Sequence, residues 1–246
     1  MRRFAWLLVC LALLVASCGG GDDNSAGDFE GLTVFAAASL TEVFQEIARD
    51  ATFNFAGSDE LATQIREGSP ADVYAAATPK YPDELLDEGL IAEPQIFATN
   101  RLVLIVPADN PAGIESVDDL SAEDVKLVIG AEGVPIGDYT RTVLENMGAT
   151  DVLDNVASQE EDVKGVVGKV TSGAADAGFV YVTDAIVAGD DVQTIELPDE
   201  AQAVVQYPIA VVVDSENQDA AQQFVDLVLG DDGRQALADA GFGPPQ

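Results

Sequence analysis

The chain has 246 residues, 48% of them hydrophobic, which is enough for one large domain or two small ones around a substantial core. Its formal net charge of −33 argues against nucleic acid as a partner, because the phosphate backbone would repel so acidic a chain. The sequence contains no histidine, which excludes the usual general base and the commonest metal ligand.

The N-terminus has the pattern of a secretory signal. Arg2 and Arg3 precede an apolar run over residues 4–16 that is too short for a comfortable membrane span. The run ends in VASC, which resembles the lipobox of bacterial lipoproteins. We therefore predict a signal peptide over residues 1–17, lipidation of Cys18, and a flexible tether over residues 18–31. The alternative is a plain signal peptide with an incidental cysteine.

Strand-like and helical patterns alternate along the rest of the chain. In the first part they predict strands at 32–37, 53–56, 72–77 and 102–107, with helices at 39–48, around Leu61 and Ile65, and at 81–89. In the second part they predict strands at 126–129, 179–182 and 209–213, with helices at 116–120, 139–147, 160–171, 220–229 and 233–240. This alternation indicates α/β layers with mostly parallel sheets, in which ligands bind beyond the carboxyl ends of the strands.

Two serines stand where a predicted strand gives way to a helix. Ser39 follows VFAAA and forms S-L-T-E with Glu42, a pattern that predicts a capping box. Ser58 follows NFAG in a similar way. One such serine indicates only a helix N-terminus. Two of them beside alanine or glycine suggest two helix N-termini that face one cavity, where free N–H groups and hydroxyls can bind an anion.

Most of residues 32–246 resembles the molybdate-binding proteins of ABC-type uptake systems. The resemblance is carried, in this order, by VFAAASLTEVFQEIA, FAGSDELATQIREGSPADVYAAA, VPIGDYTRTVLENMGA, EDVKGVVGKVTSGAADAGFVYVTDA and YPIAVV. It implies an α/β fold of the type II periplasmic-binding-protein kind, with two lobes that close around a dehydrated tetrahedral oxyanion. Lobe 1 would comprise residues 32–100 and 209–246, and lobe 2 residues 101–208.

The resemblance also implies which residues bind the anion. The hydroxyls of Ser39 and Ser58 would bind it from one lobe; the backbone N–H groups of Ile136 and Val163 and the hydroxyl of Tyr181 would bind it from the other. Without the resemblance, the side chain of Val163 belongs to a core valine stripe and Tyr181 is an ordinary buried tyrosine. Between Ser39 and Ser58 the chain is shorter than the family pattern and leaves only ARDATFNF before the second junction.

The function implied is the capture of molybdate, and with it tungstate, by a lipid-anchored monomer at the outer face of the cytoplasmic membrane. The protein would hand the anion to the membrane subunits of an ABC permease. No cofactor, no direct protein–metal ligand and no enzymatic activity are expected, since the chain lacks a Ser-His-Asp set and a nucleophilic cysteine. Without histidine, binding is expected to change little between about pH 6 and 8.

Two alternatives remain open at this point. The same fold could bind sulfate, phosphate or a small organic acid, a choice that depends on the size of the cavity. An acidic cell-surface adhesion or structural module would show no saturable binding of a small ligand.

Overall fold

The computed structural model of the protein describes residues 29–246. The predicted signal peptide and Cys18 lie outside the described residues. The strands are β1 (Thr33–Ala37), β2 (Thr52–Ala56), β3 (Val73–Ala75), β4 (Gln95–Asn100), β5 (Leu102–Pro107), β6 (Leu127–Gly130), β7 (Val156–Glu160), β8 (Ala177–Tyr181), β9 (Val192–Glu196) and β10 (Val205–Val211). The α-helices are α1 (Thr41–Ile47), α2 (Ser58–Arg66), α3 (Lys80–Asp87), α4 (Pro135–Met147), α5 (Val163–Thr171), α6 (Val182–Ala188), α7 (Gln218–Leu229) and α8 (Asp231–Asp239). Across residues 29–246, no helix has both the length and the apolar character needed to span a membrane.

The strands form two five-stranded sheets of the same design. The first has the order β2-β1-β3-β10-β4 and the second the order β7-β6-β8-β5-β9. In the first, β1 pairs in parallel with β2 and β3, whereas β10 runs antiparallel to β3 and β4. In the second, β6 is parallel to β7 and β8, and β5 is antiparallel to β8 and β9.

The predicted α/β class with mostly parallel sheets is therefore confirmed, since four of the five strands in each sheet run in the same direction. Each sheet is mixed, because it contains one strand that arrives from the other sheet and runs against its neighbours. β5 enters the second sheet in this way, and β10 enters the first. Flanking helices cover both sheets, as expected for layers that each bury an apolar face.

The chain passes between the two sheets at two places that lie side by side. It leaves the first sheet at Arg101, between β4 and β5, and returns over residues 197–204, between β9 and β10. Val205 then pairs with Asn100, and Tyr207 pairs with Ala98. The lobe boundaries at 100/101 and 208/209 stay a prediction, and the sheet order assigns the strand from Val205 onward to the first sheet.

The short link between the two serine junctions folds without a gap in the core. α1 ends at Ile47 and β2 begins at Thr52, so only four residues join them. Phe53 of β2 stacks on Phe55 at 5.1 Å between ring centroids and lies 6.3 Å from Phe44 of α1. Phe44 in turn meets Phe224 of α7 edge-on at 5.4 Å. Aromatic contacts of this kind anchor β2 as the edge strand of the first sheet.

The valine stripe of α5 packs on the second sheet as the sequence predicted. Val163, Val166 and Val170 are buried on one face of this helix. A Cβ at Gly178 of β8 would come within 2.7 Å of a Val166 methyl group, so glycine allows the helix to approach the sheet closely. The helix begins at Val163 and not at residue 160 as predicted, because residues up to Glu160 pair with β6 as strand β7.

Candidate functional site

A small cavity lies between the two sheets, at the ends of six strands. Its volume is about 20 Å³, a little more than the roughly 10–15 Å³ that one water molecule requires. The residues that line it are the last residues of β1, β2, β3, β6, β7 and β8 or come shortly after them, the first three strands lying on one side and the other three on the opposite side. All five residues that the sequence predicted for the site line this one cavity: Ser39, Ser58, Ile136, Val163 and Tyr181.

Ser39 lies in a 3₁₀ turn (Ala38–Leu40) directly after β1, and not at the N-cap of a helix. α1 begins at Thr41 and has no side-chain cap. The hydroxyl of Ser39 lies 3.0 Å from that of Tyr207, and Glu42 pairs with Lys164 at 2.9 Å. The predicted capping box is therefore wrong, because the side chains of Ser39 and Glu42 interact instead with residues distant in sequence.

Ser58 is the first residue of α2, and Gly57 is the N-cap. The Oγ atom of Ser58 accepts a hydrogen bond from the backbone N–H of Ala77 at 3.0 Å. Its carbonyl accepts another from the hydroxyl of Tyr74 at 2.7 Å. These bonds tie Ser58 to the end of β3 and leave its own hydroxyl hydrogen available to a ligand. Ser58 thus opens a helix as the sequence predicted, with Gly57 as the N-cap, and the shorter chain still brings Ser58 to the same cavity as Ser39.

The second lobe presents three donor groups. Ile136 and Val163 stand in the first turns of α4 and α5, where the helix supplies no acceptor for the backbone N–H and the dipole favours an anion. Tyr181 ends β8 and is 2% exposed, and its hydroxyl has no hydrogen-bond partner among residues 29–246. Burial raises the pKa of Tyr181 well above its ordinary value, so the hydroxyl keeps its hydrogen and can donate it.

Within the described chain, the lining of the cavity contains no lysine or arginine. Lys164 adjoins Val163, but its ammonium lies 2.9 Å from the carboxylate of Glu42 and 3.4 Å from the carboxyl group of Asp184, so it is paired outside the cavity. Asp59 follows Ser58 and has one buried oxygen without a hydrogen-bond partner in the described residues. Burial raises the pKa of this carboxyl. One acidic residue, Asp162, also lines the cavity; it is the N-cap of α5, and its carboxylate accepts a hydrogen bond from the backbone N–H of Gly165 at 2.9 Å. The donors that the lining offers to a ligand are thus neutral, with acidic groups beside them.

Contacts across the cleft hold the two lobes together around the cavity. The hydroxyl of Tyr81 donates to the carbonyl of Gly133, and Glu42 forms its ion pair with Lys164. A Cβ at Gly57 would lie 2.5 Å from the carbonyl oxygen of Glu161. Glycine at this position therefore allows the loop after β2 to meet the loop after β7.

Three buried polar residues near the site were not singled out from the sequence. Tyr207 contacts Ser39, and Asn100 lies behind Tyr207. Asp184 is 1% exposed, and burial raises its pKa from 3.8 to about 7 although Lys164 lowers it. Tyr207 is part of the YPIAVV segment, and Asn100 is the polar residue that ends β4. No sequence pattern marks Asp184, because its environment comes from segments remote in the chain.

Two α/β lobes with a small cavity of converging polar donors between them define a two-lobed binding protein. The family model for bacterial extracellular solute-binding proteins matches residues 32–243. The chain belongs to this family.

Individual relatives agree with this assignment. The chain is 38% identical to the molybdate-binding protein ModA of Mycobacterium tuberculosis, with 95% of each chain covered. It is 31% identical to ModA of Escherichia coli, with 98% of each chain covered. The solved structure of the periplasmic molybdate-binding protein of Azotobacter vinelandii matches with a TM-score of 0.78 at 20% identity, over 87% of this chain and all of that one.

These comparisons confirm the family resemblance and the two-lobed fold. Because the relatives are solute-binding proteins, they also confirm that the chain is not an enzyme and that its function requires no cofactor.

Proposed function

We propose that this protein captures molybdate, and also tungstate, outside the cytoplasmic membrane and delivers it to an ABC permease. The observation that carries the proposal is the convergence of Ser39, Ser58, Ile136, Val163 and Tyr181 on one small cavity. The names of the relatives support molybdate as the ligand.

The chemistry of the lining suits a fully deprotonated tetrahedral dianion. Each proposed contact is a donor: three hydroxyls and two first-turn N–H groups. Oriented dipoles in a cavity without bulk water can stabilise a dianion without a positively charged side chain. Molybdate, tungstate and sulfate carry only acceptor oxygens at neutral pH. Phosphate retains a proton that would need an acceptor, so the donor set disfavours it.

Closure of the lobes supplies the coupling between binding and delivery. Ser39 and Ser58 belong to the first lobe, and Ile136, Val163 and Tyr181 belong to the second. An anion held by both sets stabilises the closed arrangement more than the open one, since only the closed arrangement offers all five donors. A permease that separates the lobes would leave the anion with only the two donors of the first lobe or the three of the second, and the anion would be released.

The N-terminus fits a protein held at the membrane surface. Lipidation of Cys18 would attach the chain to the outer face of the cytoplasmic membrane, and residues 18–31 would tether the lobes to it as a monomer. Two features of the sequence support this arrangement: the small residues of VASC that precede Cys18, and the glycine-rich GGGDDNSAGD stretch that follows it.

Isothermal titration of the soluble domain with molybdate, tungstate, sulfate and phosphate tests the proposal. We expect saturable binding of molybdate and tungstate with one anion per chain, weaker binding of sulfate and none of phosphate. Tight binding of sulfate with no response to molybdate would show that the ligand is sulfate and not molybdate. No binding of any of the four anions would contradict the proposed function.

Tyr181→Phe gives a variant that tests the site and should fold normally. The hydroxyl it removes has no partner among residues 29–246, so stability without ligand should be unchanged or higher. The affinity for molybdate should fall by about 10- to 150-fold, the worth of one hydrogen bond to a charged group. An unchanged affinity would show that the hydroxyl of Tyr181 does not bind the anion.

A further inference from the structure

A chain of buried polar groups runs away from the cavity behind Ser39. The hydroxyl oxygens of Ser39 and Tyr207 are 3.0 Å apart. The side-chain amide nitrogen of Asn100 donates to the hydroxyl of Thr183 at 3.0 Å and to that of Tyr207 at 3.4 Å. All four side chains are buried, with exposed fractions between 0% and 6%. Buried polar chains of this kind act as a unit, because each bond restricts the hydrogen of the next.

The direction of these hydrogen bonds follows from a backbone group. The side-chain oxygen of Asn100 accepts from the N–H of Arg101 at 2.9 Å, and only an oxygen can accept there. The amide nitrogen of Asn100 must then face Thr183 and Tyr207 as a donor. Tyr207 therefore receives a hydrogen bond from Asn100, and it has one hydrogen of its own to give.

The hydrogen of Tyr207 points to Ser39. Burial is the largest influence on the pKa of Tyr207 and raises it, so the group stays protonated. Since the amide nitrogen of Asn100 cannot accept, the acceptor for Tyr207 is the Oγ atom of Ser39. An oxygen that accepts from Tyr207 keeps its own hydrogen for another partner, and Ser39 lines the cavity.

We propose that Tyr207 is a positioning residue that, held by Asn100, donates to Ser39 and so directs the hydroxyl hydrogen of Ser39 towards the bound oxyanion. This inference rests on the proposed function. Ser58 offers an independent parallel, because its oxygen accepts from the backbone N–H of Ala77, a group that can only donate. Both serines of the first lobe are thereby set as donors before the ligand arrives, which avoids the cost of orienting them during binding.

A double-mutant cycle between Tyr207→Phe and Ser39→Ala tests the inference by titration with molybdate. Phenylalanine keeps the ring among Phe97, Tyr181 and Phe242, whose centroids lie 5.3–6.1 Å away, so the variant should fold. In the wild-type background Tyr207→Phe should weaken binding by about 3- to 30-fold. In the Ser39→Ala background the same change should cost less than about 2-fold, because no hydroxyl remains to be directed.

Tyr74→Phe provides the matched control. Tyr74 is also a buried tyrosine beside a serine of the site, but its hydroxyl donates to the carbonyl of Ser58 and not to a side-chain hydroxyl. Its effect on affinity should be the same with and without Ser39. If Tyr207→Phe yields no folded protein, Asn100→Leu tests the same link, with the same dependence on Ser39 expected.

Equal losses for Tyr207→Phe in both backgrounds, or no loss in either, would overturn the inference. These results differ from failure of the proposed function, in which the wild-type protein itself binds none of the four oxyanions. If the wild-type protein binds one of them other than molybdate, the cycle is measured with that anion.

Discussion

Ser58→Ala is the substitution that most sharply separates binding from folding at this site. It removes one hydroxyl that lies in the cavity and accepts a hydrogen bond from Ala77 N–H at 3.0 Å. If the hydroxyl donates to the anion, the lost charged hydrogen bond should cost about 1.5–3 kcal/mol, or roughly a 10- to 150-fold weaker affinity. The buried N–H of Ala77 also loses its acceptor, which should lower the free energy of unfolding without ligand by about 1–3 kcal/mol.

Calorimetric titration with molybdate and urea unfolding of the ligand-free protein measure the two effects. Ser39→Ala is the comparison, because it also removes the acceptor of one buried donor, the hydroxyl of Tyr207. We therefore expect similar losses of both affinity and stability at the two serines. An affinity loss at Ser39 with none at Ser58, on folded protein, would refute the placement of both serines against one ligand and show that the short segment before Ser58 has moved it away.

Three further predictions address closure, pH and attachment. Gly57→Ala should weaken molybdate binding at least about 10-fold, because the added Cβ would lie 2.5 Å from the carbonyl oxygen of Glu161 in the closed cleft. Gly168→Ala is the control and should leave the affinity unchanged, because a Cβ at Gly168 meets nothing within 4 Å. Asp184 keeps a proton in the folded protein between pH 3.8 and about 7 that the unfolded chain has lost, so stability should fall as pH rises. Between about pH 5 and 8 the free energy of unfolding of the wild-type protein, measured in unfolding titrations, should therefore fall by roughly 2–3 kcal/mol more than that of Asp184→Asn. If the two proteins show the same dependence of unfolding free energy on pH, no ionisable group is buried there. Cys18→Ala should release the protein from membranes into the soluble fraction in fractionated cells, whereas a wild-type protein that is already soluble in its host would disprove lipidation.

The strand-to-helix junctions could be predicted because their signals are local. The apolar strand before Ser39 and the small residues around Ser58 are readable over a few positions, and the order of the matching segments supplied the three residues of the second lobe. The valine stripe of α5 was readable for the same reason, since a helix repeats its buried face every three or four residues.

What could not be predicted depends on partners remote in sequence. Ser39 and Glu42 match a capping box, but Tyr207 lies 168 residues from Ser39 and Lys164 lies 122 residues from Glu42. β7 reads VASQE and lacks an apolar pattern, because it is an edge strand whose side chains are at most half-buried. Local patterns give no information on these pairings.

The expectation that binding changes little between about pH 6 and 8 rested on the absence of histidine, and it stays a prediction. Burial raises the pKa of Asp184 to about 7, and its carboxyl lies 3.4 Å from the ammonium of Lys164, which adjoins the proposed ligand-binding position Val163. A carboxyl can thus titrate near neutrality in a chain without histidine. Titration of this group changes the charge balance of the Glu42–Lys164 ion pair that joins the lobes.

The central claim is that one anion sits in the cavity between the lobes and is held by neutral donors alone. A crystal structure of the soluble domain with molybdate, in which anomalous scattering locates the molybdenum atom, tests it most directly. We expect a single molybdenum peak in the cavity, with ligand oxygens within about 2.7–3.1 Å of the hydroxyls of Ser39, Ser58 and Tyr181 and the N–H groups of Ile136 and Val163. A peak elsewhere, or an anion that contacts a lysine or arginine in place of these donors, would contradict the account.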